Sequence, residues 1–512
     1  MKMEIKKIGL NLLMGAAICS GCLFTACSSD DDNDGNKKDN QKDPEVTYDG
    51  TTAISSGILF DGGKQLGNGD QNFVFTGDVK LEKGTYLLKG WVYVADGAKL
   101  TIPAGTIIKG DKQTKAALII EPGGYAEIKG TKNEPVVMTS EEAAGNRKPG
   151  DWGGLIICGK SLNNNGTLSQ QIEGGPRTKH GGEVANDNSG IYQYIRVEFA
   201  GYPFDTDKEI NGITFGSVGS GTTIDHLQVS YSNDDSYEWF GGTVDCKYLV
   251  AYKGWDDEFD TDNGFSGNVE YCLSIRDPRI ADTSQSNGFE SDNNGSGSTT
   301  TPFTTCKFKH VTFIGPAAGN SSFDYTQNTD GGTMNPNNGS KLGKFQSAMQ
   351  IRRSSKLCCE NSLAVGFPIG LMIDWEKGNC KEYAESGDIK LKNLIFAGMT
   401  FLGSDVNKKY GDFLCTGYNE VDGKKVAQYD ETQNSFSHTF FLNEKGSYTG
   451  SVNNKVMEYS ALNLTDPKNI GSNYCPSTTL SDGNGGYIGA FKDASDNWLD
   501  GWTEFDPQNA EY

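Results

Sequence analysis

The chain has 512 residues, and its 46 Lys and Arg against 67 Asp and Glu leave a formal net charge of −21 at pH 7. That excess argues against nucleic acid or an anionic membrane face as a partner, and suits cations or neutral or cationic ligands. The length allows a large core, yet no long stretch carries helical periodicity.

Residues 1–26 have the makings of a signal peptide. Lys2, Lys6 and Lys7 form a basic start, and "IGLNLLMGAAICSGCLF" is apolar but too short and too rich in small residues to span a membrane. The segment ends in "FTAC", which resembles a bacterial lipobox and makes Cys27 the expected lipidation site, with Cys22 after "CSG" as the alternative. Phe24 departs from the aliphatic residue usual at that place. Residues 27–50 begin "CSSDDD" and hold almost no apolar side chains, so a disordered acidic tether is expected there. "SSDDD" resembles the export signal of surface-displayed lipoproteins in Bacteroidota. The folded part is expected over 51–512, as one domain with long loop insertions and a C-terminal cap. Of twelve cysteines, Cys19 and Cys22 leave with the signal and Cys27 is modified. The remaining nine lack C-x-x-C spacing and are expected as buried small hydrophobes, with a disulfide or two allowed.

From 84 to 160, short β-runs alternate with period two and turn at glycine every eight to twelve residues. The later half repeats one motif: "YQYIRV" (192–197), "IDHLQV" (224–229), "CKYLVA" (246–251), "VEYCLS" (269–274), "FKHVTF" (308–313), "CENSLA" (359–364) and "LKNLIF" (391–396). The spacings are 32, 22, 23, 39, 51 and 32 residues, a base period near 22 lengthened by insertions. Such a strand cannot bury its apolar face alone, so the coils must stack. The expected fold is all-β, a right-handed parallel β-helix; a propeller would need four strands per blade. The third motif positions, Tyr194, His226, Tyr248, Tyr271, His310, Asn361 and Asn393, should then form a ladder, which is a structural role for both histidines. His180 and His438 lie in loop-like sequence and offer no constellation.

A second repeat is acidic. "SNDDSYEWFGG" (232–242) lies over "KGWDDEFDTDNG" (253–264), so Asp234, Asp235 and Glu238 fall on Asp256, Asp257 and Asp260, followed by Asp262. "QSNGFESDNN" (285–294) adds Glu290 and Asp292. Stacked coils bring such carboxylates about 4.8 Å apart, where they repel by roughly 3 kcal/mol at an effective dielectric near 20. Ca²⁺, which takes oxygens at about 2.3–2.6 Å, spans that gap. A hydrated acidic surface, or carboxylates capping turn amides, is the competing expectation. Among the interleaved aromatics, Tyr237, Trp239, Trp255 and Phe259 are the candidate ligand platform, with Trp239 and Trp255 expected to be exposed. Trp498 and Trp502 are expected to cover the open C-terminal end of the solenoid.

"PAGTIIKG" (103–110), "PGDWGGLIICG" (149–159) and "GAFKDASDNWLDGWTEFDP" (489–507) resemble a family of surface lipoproteins from Bacteroidota. The resemblance implies a pectin-lyase-like β-helix and a setting beside TonB-dependent importers. The resulting expectation is a lipid-anchored, surface-exposed outer-membrane protein. It would bind a glycan, peptide or other nutrient for a SusC/SusD-like TonB-dependent importer, without catalysis. The alternative is a Ca²⁺-dependent polysaccharide lyase, with Arg276, Arg279, Arg352 and Arg353 as candidate bases or as counter-charges. "NTD" (328–330) follows both "DD" pairs, and G-H-G and R-I-K are missing, which argues against a polygalacturonase-like hydrolase.

Overall fold

The seven motifs pair in parallel, in the register that their alignment implies. Tyr192 sits opposite Ile224, Ile224 opposite Cys246, Cys246 opposite Val269, and Val269 opposite Phe308; Phe308 in turn faces Cys359, and Cys359 faces Leu391. This computed structural model describes residues 53–54, 61–205, 208–331 and 343–512. The expected signal peptide, the expected lipidation site Cys27 and the expected tether lie outside them. Two long parallel sheets, of 12 and 18 strands, wind together as a parallel β-helix. Period-two alternation sends Leu227, Leu249, Cys272 and Val311 into the interior, where they stack as one continuous core. All nine cysteines of the described chain are buried and free, so no disulfide contributes.

The third motif position is a corner. Strand Gly190–Glu198 pairs with Ala126–Lys129 before Tyr194 and with Val136–Met138 after it, so one residue joins two legs of the coil. At that residue the chain turns through the left-handed region: φ is 50° at Tyr194, 59° at His226, 57° at Tyr248, 61° at Tyr271, 57° at His310, 49° at Asn361 and 55° at Asn393. This conformation costs an L-residue about 1–2 kcal/mol, and least where the side chain is Asn or His. Stacking offsets the cost. Ring centroids along Tyr194, His226, Tyr248, Tyr271 and His310 are 4.4, 4.4, 5.0 and 5.2 Å apart. The stack then passes to amides, with Asn393 Nδ2 donating to Asn361 Oδ1 at 2.7 Å.

The C-terminal end of the solenoid is covered by an insertion. Helix Phe436–Leu442 lays Phe441 on Phe396, centroids 4.2 Å apart, and buried Asp405 accepts from the amides of Cys415, Phe436 and Ser437 at 3.1, 2.8 and 2.9 Å. Trp498 and Trp502 correct the expectation made for them. The last segment runs back along the solenoid, and Trp502 sets its ring edge-on to Tyr194 and His226 in the middle coils. Beyond it, Gln228 binds the backbone of Glu504 in both directions and Tyr512 Oη donates to Glu198. The physical reason is the outer face of the second leg, where Val250, Leu273, Ile275 and Ile314 point away from the main core and need cover. A strap containing Tyr474, Phe491, Leu499 and Trp502 supplies it.

Asn393→Val should destabilise the chain more than Asn393→Gly. Both lose the amide ladder, but only valine adds a β-branched side chain at positive φ. The difference, about 1–2 kcal/mol, is measurable by urea titration.

Candidate functional site

The same alternation that fills the core sorts the acidic repeat. In strands Tyr237–Gly242, Phe259–Asp262 and Phe289–Ser291, Tyr237 faces Phe259 and Phe259 faces Phe289, all inward. The neighbouring positions point outward, and Glu238, Asp260 and Glu290 stack there in register. The outer face is not open to water. Insertions cover it, and Asp235, Glu238, Asp256, Asp257, Asp260, Asp262, Glu290 and Asp292 are all buried, with Asp234 half-buried. A hydrated acidic surface is therefore not what the fold builds.

The ladder divides into two electrostatically different halves. At one end Arg352 pairs with Glu290 and, through Nε at 2.9 Å, with Asp292; Arg353 reaches Asp292 at 3.0 Å. At the other end, no Lys or Arg among the described residues pairs with Asp234, Asp235, Glu238 or Asp260. There, one oxygen from each of Asp235, Glu238 and Asp260 lies within 4.8 Å of the others, and Asp234, Asp235 and Asp256 form a second such group. Asp235 belongs to both.

Hydrogen bonds satisfy part of this cluster. Asp235 Oδ1 accepts from the Asp257 amide at 2.8 Å, Asp257 from the Asn287 amide, Glu238 from Asn211, and Asp256 Oδ2 from Ser284 at 2.6 Å. Asp256 Oδ1 and Asp260 Oδ1 are buried with no hydrogen-bond partner. Burial pushes Asp235, Glu238 and Asp260 well above the usual carboxylate range, and their neighbours' charges push the same way. Burial, reinforced by Asp282, takes Asp256 up to about 8. The protein thus holds several carboxylates that ionise at neutral pH only against their surroundings. Oxygens up to about 4.8 Å apart can share one Ca²⁺ at about 2.3–2.6 Å, so the donor set and the orphaned oxygens fit that ion.

Several expected site residues are placed differently. Trp239 and Trp255 are 0% and 1% exposed, and Tyr237 and Phe259 are equally buried, so these four form no ligand platform. Trp239 stacks on Phe215 and Phe265 inside the solenoid, because residues next to an outward carboxylate must point inward. Glu290 and Asp292 carry arginine counter-charges, which sets them apart from the two cation-sized groups. Asp262 Oδ1 accepts from the Asn263 amide at 2.5 Å and lines a separate cleft. Of the candidate bases, Arg276 forms a fully buried pair with Glu258 at 2.5 Å, and Arg279 pairs with Asp277 at 2.8 Å.

Sequence reasoning missed Glu173, Glu209 and Asp282, whose charges bear on Asp234 from insertions outside the 22-residue period. No periodic signal marks them. It also missed that His438, on a helix, pairs through Nδ1 with Asp412 at 2.5 Å. His180 is buried against Ser217, 2.8 Å from Nδ1, and burial lowers it to about 3.

Fold and site together define a parallel β-helix with a buried, partly uncompensated carboxylate ladder on the outside of one sheet. The chain belongs to the pectate-lyase-like β-helix domain family, whose description matches residues 73–439. No curated protein and no solved structure matches it.

The raised carboxylates predict a pH dependence. A group that keeps its proton in the folded state stabilises fully below its unfolded value near 4, and that contribution is lost as pH rises through its folded value. His180 acts oppositely, but its contribution is complete above about pH 6.5. In EDTA, the melting temperature should therefore fall between pH 6.5 and 8, and Asp256→Asn should flatten the fall. A flat wild-type profile would show that these carboxylates are ionised in the folded state.

Proposed function

We propose that this protein binds an acidic carbohydrate at the cell surface through a divalent cation, with Ca²⁺ as the ion that fits. The carrying observation is the group Asp235, Glu238 and Asp260, three buried carboxylates with no counter-charge among the described residues, on the outer face of a pectate-lyase-like solenoid. A chain with a net charge of −21 repels an acidic glycan. A cation in the adjoining group of Asp234, Asp235 and Asp256, where Asp234 is half-buried and reaches the surface, would be shared with a sugar carboxylate and reverse the local sign. When bound, the ion would supply positive charge and open coordination positions beside the arginine-paired rung of Glu290 and Asp292. The sequence features of residues 1–50 support a Bacteroidota-type surface lipoprotein, anchored to the outer membrane at Cys27 and delivering its ligand to a TonB-dependent importer.

A Ca²⁺-dependent lyase is the second reading, favoured by the family match. It requires a base, and Arg276, Arg352 and Arg353 already serve as partners of buried carboxylates. Polygalacturonate and alginate, incubated with the chain from Thr51 in Ca²⁺, separate the two readings. Binding in Ca²⁺ that is lost in EDTA, without growth of ultraviolet absorbance from unsaturated ends, supports capture; growing absorbance supports the lyase. The cation has its own readout. At 100 times its Kd it should add about 2.7 kcal/mol, roughly 3 °C for a chain of this size, and Asp260→Asn should abolish the gain. Melting indifferent to Ca²⁺ and chelator would remove the ion from the proposal.

The anchor is tested separately. Cys27→Ala should leave the protein unlipidated and release it from the membrane fraction, whereas replacing Asp30, Asp31 and Asp32 should keep lipidation but lose protease accessibility on intact cells. Unchanged digestion of that aspartate variant would reduce the acidic tract to a spacer.

A further inference from the structure

Just past the acidic ladder, the outer face opens into a cleft of about 200 Å³ of different chemistry. Three distant segments meet there: Asn164 and Asn165 from one insertion, Asp262 and Asn263 at the end of strand Phe259–Asp262, and the loop from Asn294 to Thr300. Side-chain amides lock these segments together. Asn164 Nδ2 donates to the carbonyl of Asn293 at 2.6 Å, Asn165 Nδ2 donates to Asn263 Oδ1, and Asn294 Nδ2 donates to Ser298 Oγ at 2.8 Å. The walls are therefore fixed before any ligand arrives, which lowers the ordering cost of binding.

Two groups in this network are left over. Asn263 is held in the left-handed region, φ 57°, and its Oδ1 is taken by Asn165, while its Nδ2 has no hydrogen-bond partner among the described residues although the residue is only 4% exposed. Asn164 Oδ1 is buried and likewise unpartnered. Leaving the buried Asn164 acceptor unmade costs about 1–3 kcal/mol, a cost that a ligand hydroxyl donating to it would relieve, and the same ligand could accept from Asn263 Nδ2. The lining is Asn, Asp, Ser, Thr and Gly, without an aromatic or aliphatic side chain beyond the Thr300 methyl. An apolar ligand gains nothing there. The volume corresponds to about six or seven waters, far more than one ion needs, and amide N–H groups would face a cation unfavourably.

We infer that this cleft is a binding site for a neutral, polyhydroxylated sugar unit. Its hydroxyls would accept from Asn263 Nδ2 and donate to Asn164 Oδ1 and to the Asp262 carboxylate. The inference rests on the carbohydrate reading above but does not need the cation. Asp262 stands two residues beyond Asp260 on one strand, and alternation puts both on the outer face, so the cleft continues the ladder's face along the strand direction.

Saturation-transfer NMR on the full chain tests it, with the methyl glycosides of glucose, galactose, mannose and rhamnose as probes, each in Ca²⁺ and in EDTA. Transfer to at least one glycoside, equal in both buffers, is expected. Gly295 lines the cleft with an ordinary φ, and a Cβ built there meets nothing within 4 Å, so Gly295→Leu should fill the space without disturbing the fold. Asn263→Gly keeps the backbone turn and removes the amide. Both variants should weaken glycoside binding at least tenfold while keeping the wild-type melting temperature within a few degrees and its response to Ca²⁺. No transfer to any glycoside, or transfer that survives Gly295→Leu, overturns the inference. Ca²⁺ binding that is lost in Gly295→Leu overturns it in favour of an ion site. A failure of the cation reading shows instead as melting that ignores Ca²⁺, and leaves this result untouched.

Discussion

Parallel, in-register stacking at about 4.8 Å governs every other feature of this molecule. Each residue meets its own counterpart one coil above and below, so every position must be of a kind that tolerates its like. Aliphatic and aromatic side chains do so by packing. The corner positions do so by ring stacking at 4.4–5.2 Å and then by amide pairing. A stacked aromatic pair contributes about 0.5–1.5 kcal/mol, comparable to the left-handed backbone cost at the same residue. Like charges are what stacking penalises, and the carboxylates of this ladder carry roughly 3 kcal/mol per ionised neighbour in this setting. They therefore expose where the fold is serving something other than its own stability.

That penalty is met in one place by protein. Arg352 and Arg353 neutralise Glu290 and Asp292, and Arg276 neutralises Glu258 in the turn beneath. From the next rung on, Asp235 and Glu238 receive amide hydrogens, but Asp235, Glu238 and Asp260 pair with no Lys or Arg among the described residues, and additional acidic residues approach from the insertions. The contrast between adjacent rungs of one ladder is more informative than the acidity itself, because both halves share the same fold, depth and spacing.

Much of this was legible in the sequence. The motif alignment from Tyr192 to Leu391 is the strand register, and the corner residues were recognisable as a recurring His, Tyr or Asn. The stacking of Glu238, Asp260 and Glu290 followed from a 22-residue shift and one insertion. What could not be read was cover. Whether an outward residue meets water depends on insertions, and those follow no period. Trp239 and Phe259 were misjudged because outward carboxylates were pictured beside outward rings, whereas alternation forbids neighbours in a strand from sharing a face. Glu173, Glu209 and Asn164 were invisible because contacts spanning tens of residues between irregular loops leave no pattern in composition.

The returning strap changes the kind of polymer this is. A bare solenoid is a one-dimensional array in which each coil knows only its neighbours, and it can melt from either end one coil at a time. Here residues 498–512 bind coils that were laid down 276 to 403 positions earlier, tying Glu504 to Gln228 and Tyr512 to Glu198 and Lys109. Those ties close the array into a loop. Unravelling from the capped end cannot pass the middle coils without first stripping the strap, and stripping it exposes the apolar row from Val250 to Ile395 at once. The chain should consequently open in large steps, with the coils bearing the acidic face inside the most resistant block.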